Sequence, residues 1–449
     1  VTAAKRATTH ASTLDLACSP EQVVARLGHA AHLTPIVFAL GPNTPWSRWT
    51  FIALPSRTLR VEPGTDPFPA LSEVFGVVGS GAASDDEPPL QGGWIGMLSY
   101  ALGRSLELRA ADPRRATDDR RWPLLLFHRI DTALCYDKFR QRWWGVGDIA
   151  PWVKELGTPA PSPQNPWLSF AAFAPPDSAR LRYMHAVDRA INYIRAGDIY
   201  QVNLAHRLSA RADANPRDLF LSLAAAAKPW YGTLIPDQLA TLRSAILCAS
   251  PELLLRYDAA SRTLTTRPMK GTRPAAAAHD LDAAPKDRAE LAMIVDLMRN
   301  DLGRVASFGS VRVDEPRVLE PHGSLLQGVS SVAARLRPGL TLADAIPAIF
   351  PGGSVTGAPK IRAMQIIEEL EEAPRGPYCG AVGYVSDTGD AAFAMTIRTL
   401  TLQGEAWGPE SIRGHADYWV GAGIVADSDS AAEWRETLDK ASPLRDALG

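Results

Sequence analysis

LLLRYDAASRTLTTRPMKGTRP, residues 253–274, holds two short runs rich in apolar and β-branched residues around the turn-forming DAAS. Runs of this length bounded by turn residues read as strands, so LLLRYD (253–258) and RTLTTR (262–267) form a β-hairpin. Antiparallel pairing centred between Ala259 and Ala260 puts residue 252 opposite residue 267. Glu252 and Lys270 then sit at the same end of one hairpin. Two readings of that pair stand. An acid and a lysine at a rim form an exposed ion pair that contributes little. Alternatively, burial or nearby cations hold Lys270 as a free amine nucleophile, with Glu252 as its proton donor.

Outward from the hairpin, a helix fits residues 286–300, a Gly-rich loop enters a helix over 351–372, a second hairpin spans 378–402, and strand, turn and helix follow at 417–440. Upstream, Asp177 is placed to cap a helix to about Ile194 with Leu181, Met184, Val187, Ala190 and Ile191 on one face, and the strand IYQVNLAHRLS follows. This mixed order differs from a regular βαβ series and favours an α+β fold with large antiparallel β-sheets flanked by helices. Residues 157–176 are punctuated by proline, which fixes φ and lacks a backbone donor. They read as a linker between an N-terminal mixed α/β region (1–156) and a region carrying the chemistry (177–449). In the former, WTFIALPS (49–56) and RQRWWGVG (140–147) are strand-like, and the mixed charges of RAADPRRATDDRR (109–121) read as a solvated loop.

The 449 residues are 46% apolar and 21% charged with a net charge of −2, a composition that buries a large core and offers no basic stripe for nucleic acid. Four cysteines with no CxxC pair argue against a disulfide framework or a thiolate metal site. Lys5 and Arg6 precede THASTLD rather than an apolar run, and no stretch is apolar for long enough to span a bilayer. The expectation is a cytoplasmic protein with a small-molecule substrate and no membrane contact.

Two phosphate motifs nearly match. GGSVTGAPK (352–360) has Ala358 and Pro359 where a Walker loop needs lysine directly after the second glycine, and GAGIVA (421–426) runs into strand-like sequence where a dinucleotide fold needs a helix. Both loops remain candidates for presenting main-chain N–H groups to an anion, or are simply tight turns. The carboxylates say more. Glu290 shares a helix face with Met293, Ile294 and Leu297, and Glu433 and Glu436 lie three apart beside Trp434 and Leu438. Buried acids need partners: either arginines, or a hard cation such as Mg²⁺ held between helices.

Taken together, GDIYQVNL (197–204), SPELLL (250–255), RPMKGTRP (267–274), KDRAELAMIVDLMRNDLGRV (286–305), FPGGSVTGAPKIRAMQIIEE (350–369), YCGAVGY (378–384), MTIRT (395–399) and GAGIVADSDSAAEWRETLDK (421–440) resemble the chorismate-utilising enzymes. The resemblance runs in order through the C-terminal half and is faint before it, around PWSRW (45–49). Within the family, isochorismate and salicylate synthases carry lysine where this chain has Gln201, and anthranilate synthases carry alanine where it has Lys270. Gln201 with Lys270 is similar to the aminodeoxychorismate synthase branch.

That resemblance implies a chorismate substrate, Lys270 as nucleophile and Glu252 as acid, and Mg²⁺ on Glu290 and Glu436 with Glu433 nearby. It further implies Gly271, Thr272, Tyr378, Arg398, Gly421, Ala422, Gly423 and Lys440 around the substrate, and a separate glutamine amidotransferase subunit as ammonia source. The product would be 4-amino-4-deoxychorismate, a precursor of p-aminobenzoate and folate. Rival outcomes are anthranilate, isochorismate, or a silenced homologue. The chain departs from the family at Gln327, where a histidine is usual, at Ala275 for arginine, and at Leu291 for asparagine or histidine. Some relatives hold tryptophan through a Leu-Leu-x-Ser segment, where FALG (38–41) has Gly41.

Overall fold

The hairpin is present, with Leu253–Asp258 paired to Thr263–Arg267, and its antiparallel sense is general. In the computed structural model every strand pairing among the described residues is antiparallel. The structure describes residues 11–27, 34–77, 86–107, 119–150, 168–274, 285–322 and 325–449, with Trp152 and Leu156.

One ladder can be followed strand by strand. Gln201–Ala214 pairs with Ser411–Ile424, which pairs with Thr399–Trp407, then Leu242–Ser250 and Tyr231–Leu239. Ile36–Phe38 joins Tyr231–Leu239 to Trp49–Val61, which pairs with Leu125–Asp137 and through it Gly93–Leu98. Gly93–Leu98 continues into Ala381–Ser386, Ala391–Met395, the hairpin, and Leu325–Arg335, against which Met269–Pro274 and Arg312–His322 pair. The α+β architecture expected from the element order is therefore observed. The division at 157–176 does not coincide with a break in the ladder, because strands from before it join two parts of the sheet that come after it. Residues 157–167 of the expected linker, most of the charged loop at 109–121, and Ala275 lie outside the described residues.

Several local expectations are corrected. The hairpin turn is residues 259–262, one residue later than DAAS, with Asp258 opposite Thr263; Asp258 Oδ1 accepts from both Ser261 N and Ser261 Oγ at 2.7 Å. After an irregularity between Leu253 and Arg256, Leu253 rather than Glu252 lies opposite Arg267. In the helix Asp177–Arg195, Pro176 is the N-cap residue and Asp177 begins the helix. Its inner face is Tyr183, Val187, Ala190 and Ile191, because the Tyr183 ring packs on His206 and Trp434 while Leu181 stays 60% exposed. The second hairpin ends at Met395; Thr399–Trp407 belongs to the other part of the sheet, the chain turning at Arg398 with φ +51°.

Two helices contribute acids to the site. Pro285–Gly303 buries Leu291, Ile294, Met298 and Leu302, the three- and four-residue spacing of one face. Ser430–Asp439 starts after Asp429, whose carboxylate accepts from Ala432 N at 2.8 Å, a cap contributing about 1 kcal/mol. The principal core packs Phe75, Phe127 and Phe393 with Ile294, Ile346 and Ile366, and each fully buried side chain of this size contributes about 1.5–3 kcal/mol. No helix among the described residues is long and apolar enough to cross a membrane.

Arg375 is buried among these elements. Its guanidinium donates to Glu371, to Val355 O at 2.8 Å and to Asn203 O at 2.7 Å. Glu371 in turn accepts from Ala205 N at 2.9 Å. Removing one partner of such a pair strands a buried charge at a cost of about 3–5 kcal/mol. Arg375→Ala is expected to lower the thermal unfolding midpoint accordingly, and the double variant Arg375→Met/Glu371→Met to recover part of the loss, both read by calorimetry.

Candidate functional site

Lys270 lies on one part of the sheet and faces Gln201 and Gly423 of the other, and Glu252 immediately precedes the strand Leu253–Asp258. Lys270 is on Met269–Pro274 opposite Gly328, and the register shifts before Thr272, which lies opposite Gln327. Gly271, at φ +78°, is the extra residue of that bulge, a conformation that residues with a Cβ rarely adopt. A Cβ on Gly423 would lie 2.8 Å from Gln201 Nε2 and 3.1 Å from Lys270 Nζ, so both side-chain nitrogens converge over that glycine. A Cβ on Gly421 would lie 3.0 Å from the Tyr378 hydroxyl.

The ladder decides which main-chain groups can face a ligand. Asn203 N donates to Thr356 O and Ala205 N to Glu371, so both turn away from Ser411–Ile424. Leu204, between them, turns toward Ala422. In an antiparallel pair the N–H and C=O of one residue point to the same edge. Ala422 therefore commits its main chain to the ladder, while Gly421 and Gly423 direct theirs to the other edge, where pairing with Thr399–Trp407 stops at Tyr418. This corrects the expectation that all three present amides. Lys440 Nζ donates to Gly421 O at 2.8 Å and pairs with Glu436 at 2.8 Å.

Charge and burial oppose each other here. Burial pulls the Lys270 ammonium below its usual range and Lys440 adds to this, while Glu290, Glu252 and Glu436 work against it. Burial pushes the Glu252 carboxyl up to about 7, although the Ser354 hydroxyl, donating at 2.5 Å, and Lys270 both favour its ionised form. The lysine is thus shifted toward its free amine and the acid toward its protonated form. The buried arrangement, rather than the exposed rim pair, is the observed one.

Glu290 and Glu436 come from two different helices and both act on Lys270. Glu433 is instead buried, accepting from Ser428 Oγ at 2.7 Å and bearing on Tyr183. No group of three or more His, Cys, Asp or Glu able to hold an ion occurs among the described residues. Two carboxylates without a nitrogen or sulfur donor suit a hard cation that completes its shell with water and substrate oxygens.

Tyr378 stacks on Trp419 with centroids 5.7 Å apart and planes at 12°. Among the described residues Arg398 makes no ion pair with a carboxylate; burial pulls its guanidinium below its usual range, and it bears on Tyr418 and His322. An enclosed arginine without an acid suits an anionic ligand group. Gln201 and Gln327 are buried, each with an Oε1 that has no hydrogen-bond partner among the described residues. Leu291, another departure, is core. Lys360 pairs with Asp301 at 2.6 Å and donates to Ile349 O, fastening helices together as the failed Walker match allows. Pro359 is the N-cap of the helix Lys360–Leu370. Gly41 packs so tightly on Trp230 that a Cβ would stand 2.6 and 2.8 Å from its ring carbons. Ser354 is the residue that sequence reasoning missed, since a hydroxyl in a Gly-rich turn carries no signal of the acid it reaches.

The chorismate binding enzyme family matches residues 46–446. Aminodeoxychorismate synthase component 1 of Klebsiella aerogenes is 39% identical over 369 residues, covering 79% of this chain and 77% of its own. Anthranilate synthase component 1 of Thermus thermophilus is 37% identical over 385 residues, covering 81% and 79%. The crystal structure of anthranilate synthase component I from Streptococcus pneumoniae superposes with a TM-score of 0.73 at 30% identity, covering 89% of this chain and 92% of that one.

Because Gln201 and Lys270 leave no room for a methyl at Gly423, Gly423→Ala displaces both. The atoms a methyl would meet are the far ends of flexible side chains, which shift at little cost to the fold. Chorismate turnover is expected to fall about tenfold or more, with the thermal midpoint little changed, by steady-state kinetics and calorimetry on the same preparation.

Proposed function

The chain belongs to the chorismate binding enzyme family, and from that premise we propose that it converts chorismate and ammonia to 4-amino-4-deoxychorismate. The observation that carries this reading is the pair itself: Lys270 drawn toward its free amine by burial, and Glu252 held protonated up to about pH 7. Lys270 Nζ attacks C2 of the substrate ring, the two ring double bonds shift, and the C4–O bond breaks. Glu252 gives its proton to the departing hydroxide, which leaves as water. Ammonia then attacks C4, the double bonds return, and the C2–N bond breaks to release Lys270. A proton from the added nitrogen restores Glu252.

The substrate carries two carboxylates, and the cations and donors around the site match that charge. Arg398, the Tyr378 hydroxyl, Lys440, the Gly421 and Gly423 edge, and Gly271 with Thr272 are the groups we assign to binding it. Glu290 and Glu436 would hold Mg²⁺, with Glu433 behind them, and the bound ion would offset carboxylate charge as the ring is attacked. Gln201, unlike a lysine, supplies no strong base to activate water, which favours ammonia as the second nucleophile. Residues 177–449 carry these groups, and we take 1–156 to complete the sheet around them.

The name component 1 among the relatives goes with a second component. We take this chain's partner to be a glutamine amidotransferase subunit that supplies the ammonia, in a cytoplasmic heterodimer serving p-aminobenzoate and folate synthesis.

Incubation with chorismate, Mg²⁺ and ammonium, followed by aminodeoxychorismate lyase, is expected to yield 4-aminobenzoate; anthranilate formed without the lyase assigns the chain to the other branch. Lys270→Ala is expected to weaken or redirect amination, and an unchanged rate and product would remove the covalent role. Glu252→Gln is expected to cost about 10²–10⁴-fold in kcat. The acid must carry its proton, so activity falls as pH rises through about 7, the value of Glu252. A kcat/KM profile without this alkaline limb would contradict the assignment.

A further inference from the structure

We infer that Ser354 is a positioning residue for Glu252, its hydroxyl holding one carboxyl oxygen so that the other presents its proton to the leaving hydroxyl. This rests on the reading of Glu252 as the acid. Ser354 Oγ donates to Glu252 Oε1 at 2.5 Å, and Oε2 makes no hydrogen bond among the described residues. Ser354 is buried.

Both residues are anchored by their own backbones. Glu252 N donates to Ser250 Oγ at 3.2 Å, and Glu252 O accepts from Met395 N at 3.0 Å. Ser354 sits in the short 3₁₀ turn Gly353–Val355. Neither Gly352 nor Gly353 has room for a Cβ, which would run into Met395 and Leu297 respectively. Thr356 Oγ1 donates to Gly352 O at 3.0 Å, and Arg375 grips Val355 O at 2.8 Å. A serine in a turn ordinarily bonds its own backbone. Here the turn is held by other groups, and the hydroxyl is left for the acid.

The charged and titratable groups around Glu252 leave this hydroxyl a distinct part. Lys270 favours the carboxylate by charge alone, and the buried Cys379 thiol is pushed up partly by the same carboxylate. Of the two groups that favour ionised Glu252, Ser354 contributes more than Lys270. When the Oε2 proton passes to the leaving hydroxide, negative charge appears on a carboxylate whose Oε1 already accepts a hydrogen bond. Bonds to ionised acceptors are about twice as strong as neutral ones, so this bond strengthens along the reaction. It therefore acts on kcat rather than on substrate binding.

The test compares Ser354→Ala and Ser354→Thr with the unaltered chain in chorismate consumption, whatever the product. A second readout is the infrared carboxyl band of Glu252, taken as the difference from Glu252→Gln and followed through pH. Ser354→Ala is expected to lower kcat about tenfold or more with KM within about twofold. Loss of a bond to the ionised form raises the acid's pKa, so the band titration and the alkaline limb move to higher pH, and Ser354→Thr returns both. Failure to form aminodeoxychorismate would overturn the product reading and leave the band titration to judge Ser354. An unmoved titration with kcat within about twofold overturns the inference. So does an equal loss in both variants with an unmoved titration, which would assign Ser354 to packing of its turn.

Discussion

The Arg375 guanidinium is the fixed point to which the site is tied. Its donors go to three different segments: Glu371 after the helix Lys360–Leu370, the Val355 carbonyl in the Gly-rich turn, and the Asn203 carbonyl in the strand that begins with Gln201. Its plane also lies against Tyr100 at 4.6 Å, with Tyr378 beyond at 5.9 Å. A buried charge of this kind is tolerated only when every donor is satisfied. That demand fixes how the turn carrying Ser354, the strand carrying Gln201 and the ring of Tyr378 sit relative to one another.

The second constraint is the continuity of the ladder. Lys270 and Glu252 belong to the part built from residues 253–335 and 381–395; Gln201, Gly421 and Gly423 belong to the part built from 201–250 and 399–424. The strands between residues 36 and 137 span the two. Their contribution to the chemistry is indirect. By joining the two sheet parts they help bring cations and acids into a space with little water, and the loss of water is what moves Lys270 down and Glu252 up.

Some of this was legible along the chain. Short β-branched runs around turn residues marked the hairpin, and Glu290 among Met293, Ile294 and Leu297 stood out because an acid on an apolar face needs a reason. The errors have equally local causes. Centring the hairpin on Ala259 and Ala260 ignored the Asp258 side chain, which captures Ser261, and the turn lies one residue later. Placing Leu181 on the inner face counted hydrophobicity and overlooked Tyr183, whose ring meets His206 and Trp434. GAGIVA identified two glycines that matter, but only the pairing parity of Leu204 with Ala422 separates the amides that face outward from the one that does not.

What the sequence by itself determined is the kind of each element, and through shared motifs the family: period-two runs, capped helices, and a lysine and an acid near one hairpin end. These are properties of neighbouring residues, and they survive any change of distant context. Tertiary structure alone decided that Lys270 converges with Gln201 over Gly423, that Glu433 turns to Ser428 while Glu436 turns to Lys440, and that Ser354 reaches Glu252 across 102 positions. The physical reason is that proton affinity follows burial and the summed field of groups far apart in the chain. No local spacing encodes either.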